Sequence, residues 1–156
     1  VNTYSLLLAL HSFTRWLVLA GLLFTLYRAY RGWLRNKPFT SFDNTVTHTS
    51  ATIAQIQLLL GISLYFISPL VAYFIQHFKE AVHEREMRFF GMEHSLMMLV
   101  AITLITVGSV FAKRKTTDKQ KFKTLAVWYT LALVVILTNV PWPFSPLVSR
   151  PWLRFF

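Results

Sequence analysis

The sequence predicts an all-α integral membrane protein, a four-helix up-down bundle, on three observations. Hydrophobic residues make up 54% of the 156 residues and the mean hydropathy is +0.47. A soluble domain must dress its surface in polar groups, and 14% charged residues would leave that surface bare. The apolar residues fall into four runs, each near the ~20 residues that cross a hydrocarbon core. The basic residues sit in short blocks between these runs. That is the pattern of membrane loops rather than of a groove for phosphates. The net charge of +10 therefore reads as membrane topology, and no nucleic-acid partner is expected.

Span 1 is read over residues 4–27, with His11 and Arg15 between the apolar run starting at Leu6 and the run Trp16 to Leu26. Span 2 is read over 49–74, with Pro69 kinking its last third. Span 3 covers 89–111. Span 4 covers 125–140 and ends at Pro141 and Pro143. The tail, 141–156, carries Trp142, Phe144, Trp152, Phe155 and Phe156 among prolines that forbid a span. It reads as a segment on the interface, where aromatic rings are favoured. The charged segment from His77 to Arg88 reads as a short amphipathic helix above the same surface. The whole chain is one membrane domain without internal repeats. The N-terminus lacks a basic n-region, and Arg15 interrupts the apolar run, so it does not read as a signal peptide.

Loop 1–2 carries Arg28, Arg31, Arg35 and Lys37, and loop 3–4 carries Lys113, Arg114, Lys115, Lys119, Lys121 and Lys123. The other side holds Lys79, Arg85, Arg88, Arg150 and Arg154. Ten basic residues against five put the first two loops in the cytoplasm and both termini on the outer side.

An ionisable residue inside a span costs about 2.5–3.5 kcal/mol at the bilayer centre, so those present face a partner or a cofactor. Here they are His11 and Arg15 on span 1, and Glu93 and His94 on span 3. Helix rise sets His11 about 10 Å and His94 about 8 Å below the same surface. Spans 1 and 3 of an up-down bundle are diagonal neighbours. Two imidazoles at one depth on diagonal helices can be the axial ligands of a b-type haem. Arg15, at i+4 from His11, has two roles open: a haem propionate, or an ion pair with Glu93. A cofactor-free polar knot that fixes helix register, and a proton or quinone role without haem, are the alternatives. His48 reads as a solvated interfacial residue, His77 and His83 as exposed loop residues. Gln55 and Gln57 read as interhelical hydrogen bonds, and Met92, Met97 and Met98, which flank His94, as core packing, with an axial-ligand role for a Met as the alternative.

The absence of Cys excludes disulfides, thiolate metal sites and c-type haem attachment. No nucleotide-binding glycine pattern, His-Glu-x-x-His or nucleophile elbow is present, and the loops are too short to house an active site. An electron-transfer or accessory subunit is expected rather than a stand-alone enzyme.

Four segments carry a resemblance. They are His11-Ser12-Phe13-Thr14-Arg15-Trp16, Gln57 through Gly61 to Pro69, Arg88 through Glu93-His94 to Met97-Met98, and Val140-Pro141-Trp142-Pro143-Phe144. Together they resemble a family of small bacterial four-helix membrane proteins labelled cytochrome-b-like, in which His11, Arg15, Glu93 and His94 match recurring positions. The chain departs from that pattern in span 2, where relatives often carry a His near the position of Gln55 or Ile56. The resemblance implies a bacterial inner membrane, so that the outer side is periplasmic, and haem b and electron transfer within a respiratory-type complex, with a quinol and other membrane subunits as partners besides the lipid bilayer. The alternative is a cofactor-free accessory subunit of a larger membrane complex.

Overall fold

The computed structural model describes residues 2–153; Val1, and the Arg154, Phe155 and Phe156 of the expected interfacial tail, lie outside the described residues. Within them the chain is all helix and irregular segments, without strands. Helix α1 spans Thr3–Leu34, α2 Ser41–Ile67, α3 Pro69–Gln76, α4 Phe78–Ala81, α5 Arg85–Arg88, α6 His94–Lys113 and α7 Asp118–Asn139, with one π turn at Phe89–Glu93 leading into α6. Four stretches are long and apolar enough to cross a membrane: Thr3–Leu34, Ser41–Ile67, Arg85–Lys113 and Asp118–Asn139.

The caps explain where the helices begin and end. The Asn2 side chain accepts from the Ser5 amide (2.8 Å) and starts α1. That helix runs seven residues past the expected Tyr27 and stops at a left-handed residue, Asn36 (φ 48°). The Lys37 amide then bonds back to the Gly32 carbonyl at 3.0 Å, the bond that closes a Schellman motif, and Pro38 prevents continuation. Helix α2 also starts earlier than expected. Thr40 and Asp43 form a reciprocal capping box, a signal readable in the sequence. Asp43 also pairs with Arg28 at 2.7 Å, tying the end of α1 to the start of α2. Pro69 breaks rather than kinks the helix. Ser68 is extended (ψ 123°), as a residue before proline must be, and Pro69 opens α3. The charged segment after it forms two single turns, α4 and α5, rather than one amphipathic helix.

Packing runs around the bundle: α1 on α2, α2 on α6, α6 on α7 and α7 on α1, so α1 and α6 stand diagonally opposite. The core is apolar and small-residue-rich, with Leu22, Ala54, Ala101, Ile105, Ala126 and Ala132 at its centre. Close approach is set by glycines whose absent side chain makes room for a ring: Gly32 for Phe122, Gly91 for Phe74, Gly108 for Trp128. This is how helices pack when surrounding lipid removes the hydrophobic drive between them. The Tyr129 ring is fully buried; its hydroxyl lies 2.8 Å from Ser109 Oγ and donates to the Thr47 carbonyl at 3.3 Å, joining α7 to α6 and α2. Large apolar side chains face outward, with Phe66 81% exposed and Leu59 63% exposed. In water such a surface would be a liability, whereas in a bilayer it is the required one.

Candidate polar site at the aromatic end of the bundle

The end of the bundle opposite the basic loops is closed by the segment after Asn139. Val140 and Trp142 turn into the core, and Val148 is buried. The Trp142 indole donates to the Leu137 carbonyl (2.8 Å). Phe144 stacks parallel to it (6.1 Å, 4°), and Trp16 and Trp152 complete the cluster at 5.8–6.1 Å between rings. The tail thus caps the bundle. Arg85 donates to the Pro146 carbonyl (2.8 Å) and Arg150 pairs with Glu86, clasping the tail to the turns before α6.

Beneath this cap the two expected imidazoles meet. His11 and His94 have ring centroids 6.5 Å apart at 78°. The π turn contributes to this arrangement. One residue too many in a helical turn rotates the rest of the helix about its axis, which is why such turns mark functional positions. Phe89 and Phe90 flank the His94 ring at 5.5 and 6.3 Å. His94 Nδ1 lies 2.7 Å from the Asn139 carbonyl, one of the four left unpaired where α7 ends. A carbonyl only accepts, so Nδ1 carries the proton, and in the neutral ring the lone pair is on Nε2. His11 is held from α2. Gln57 donates to its carbonyl (2.9 Å), and Gly61 lets the ring approach, since a Cβ there would sit 3.3 Å from Cε1. The buried atoms His11 Nδ1 and Gln57 Oε1 make no hydrogen bond among the described residues.

Of the two roles open to Arg15, the pairing with Glu93 is absent among the described residues, and two separate contacts stand in its place. Arg15 donates to the Trp152 carbonyl at 2.6 Å, and that carbonyl also accepts from the Trp16 indole at 3.1 Å. The guanidinium lies over the Trp16 and Trp142 rings at 5.5 and 5.7 Å, and its Nε is buried without a partner among the described residues. Glu93 instead accepts from Arg88 at 2.6 Å. The reason is angular. Neighbouring residues on a helix point about 100° apart, so turning His94 toward His11 turns Glu93 away.

Of the methionines expected in the core, Met98 packs against it, whereas Met92 is exposed. His48 lies in the second turn of α2 rather than at its start, and is exposed. His77 stacks on Tyr73 (4.2 Å) and His83 is exposed in the turns. Gln55 reaches across to Thr106 on α6 (3.3 Å). Sequence reasoning missed the Asn139 and Trp152 carbonyls, because a backbone acceptor leaves no side-chain signature. Among the described residues no group of three or more His, Cys, Asp or Glu is placed to hold a bare metal ion. No family model, curated protein or solved structure matches the chain.

Proposed function

We propose that the chain is a b-type cytochrome-like membrane subunit in which His11 and His94 are the axial ligands of one haem b. The observation that carries the reading is the imidazole pair. On the diagonal helices α1 and α6 the two ring centroids lie 6.5 Å apart, so a haem at this level would be held by both histidines. A tetrapyrrole needs only two donors from the protein. The tautomer of His94 set by the Asn139 carbonyl is the outer-shell arrangement common to metal-ligating histidines. The Arg15 Nε, without a partner among the described residues, would be a donor for a propionate. When bound, haem would carry single electrons. The protein's own part is to orient two imidazoles, keep a cation beside them and shield them under an aromatic cap. In this reading the chain serves an inner-membrane respiratory-type complex. Its basic loops face the cytoplasm, and the haem end exchanges electrons with a quinol or a partner subunit.

A second reading is favoured by a specific contact. Arg15 already has a carbonyl partner in Trp152, as it would in a cofactor-free accessory subunit whose exposed apolar faces pack on other membrane subunits. Absorbance separates the two. The first reading expects a Soret band in protein purified in mild detergent from haem-sufficient cells, and its loss in His11→Ala and His94→Ala. Folded protein without that band, in native membranes as well as in detergent, rejects it.

A further inference from the structure

At the opposite end of the bundle lies a cavity of about 280 Å³, between the start of α2, the end of α6 and the start of α7. We infer that this cavity is a binding site for the phosphate of an anionic phospholipid.

Its donors are unspent. Lys113, Ser41 and Asn44 line it, and none of their side chains makes a hydrogen bond or ion pair among the described residues. Lys121 completes the polar wall. Its ammonium is 3.9 Å from Asp118, beyond good hydrogen-bond length, and 5.4 Å from the Phe39 ring. An ammonium pair beside a hydroxyl and an amide matches a phosphate oxygen set better than it matches any cation or apolar ligand.

Charge at this end is also unbalanced. Ten basic residues lie on the two loops and helix ends here, against two acids, Asp43 and Asp118. Asp43 is already paired with Arg28 at 2.7 Å, and Asp118 is half exposed and no closer than 3.9 Å to Lys121. The acids cannot neutralise the face, so an external anion is favoured there.

Position decides for a lipid over a soluble phosphate. Ser41 opens α2, Lys113 closes α6 and Lys121 lies in the first turn of α7, so the cavity sits at the ends of the membrane-crossing helices. That is the depth of headgroups. Phe39 and Leu125 supply apolar wall beside the donors, suited to the glycerol end of a lipid. Basic pockets between helices at this level are where anionic headgroups bind.

The test is native mass spectrometry of the full chain released from nanodiscs of phosphatidylcholine with or without phosphatidylglycerol. Each Lys near an anionic surface is worth about a fivefold change in binding, so K113Q/K121Q should lower the stably bound phosphatidylglycerol roughly 30-fold. K115Q/K119Q removes the same charge away from the cavity and should leave one lipid bound. N44W fills the cavity mouth without changing charge and should also displace the lipid, with the melting temperature confirming that each variant folds. Retention of the lipid by both cavity variants, or equal loss in K115Q/K119Q, overturns the site. Saturable binding of inorganic phosphate in phosphatidylcholine discs, in competition with phosphatidylglycerol, overturns the lipid assignment in favour of a soluble phosphate ester.

Discussion

Gly61 is the residue on which the geometry of His11 depends, and substituting it separates helix stability from site geometry. A methyl group at this position would lie 3.3 Å from His11 Cε1 and 3.7 Å from Nδ1. Carbon–carbon contacts relax at about 3.5–4.0 Å, so Gly61→Ala asks the ring to yield by a few tenths of an ångström. Ala favours the helix over Gly by about 0.8–1 kcal/mol, which offsets that strain. Gly61→Ala should therefore unfold within about 1 kcal/mol of the wild type. Gly61→Leu puts a larger side chain at the same close approach to the ring. Overpacking of that kind costs about 1–3 kcal/mol, and the His11 ring must swing away from His94. The assay is paired: unfolding in mixed detergent micelles for stability, and the imidazole signals of ¹⁵N-histidine-labelled protein for geometry. The expected outcome is unchanged stability with a small His11 shift in Gly61→Ala, and lost stability with a large shift in Gly61→Leu. A Gly61→Leu protein with wild-type stability and an unmoved His11 signal would falsify the packing of α2 against this ring.

Three further outcomes are expected. Tyr129→Phe keeps the buried ring but removes the hydroxyl that joins three helices; interhelical hydrogen bonds average about 0.6 kcal/mol and reach about 1.7, so a loss of about 1–2 kcal/mol should appear in the same unfolding assay. Thr40→Ala removes one half of the capping box and should cost about 1 kcal/mol, with faster amide exchange confined to the first turn of α2. Glu93→Gln should be nearly silent, within about 1 kcal/mol, because its partner Arg88 is itself 36% exposed. Its histidine signals should match the wild type, whereas Arg15→Gln, which weakens the tail anchor, should perturb the tryptophan fluorescence of the cap.

The sequence was informative wherever a side chain carries its own signal. Four apolar runs became four membrane-length helices because hydropathy acts residue by residue. The depth estimate for His11 and His94 led to two rings in proximity because helical rise is fixed. Boundaries shifted where local chemistry outweighed hydropathy: the Asn36 left-handed stop and the Thr40–Asp43 box extend α1 and α2 beyond their apolar stretches. The pairing of Arg15 was not legible for a different reason. Its acceptor is a backbone carbonyl at Trp152, brought in by a proline-rich tail whose path is set by tertiary packing of Trp142, Phe144 and Trp16. The π turn before His94 likewise has no pattern of its own in the chain.

The Arg15–Trp152 contact also orders events during synthesis. The two residues are 137 positions apart, and at about 5–20 residues per second the acceptor is made roughly 7–30 s after the arginine. For that interval the nascent first helix bears an unpaired guanidinium in the bilayer, a load of about 2.5–3.5 kcal/mol that its leucines and valines must outweigh unaided. The Arg15 contact is therefore completed only after the fourth helix has been synthesised, and a chain that stops short of residue 152 lacks this acceptor for the guanidinium.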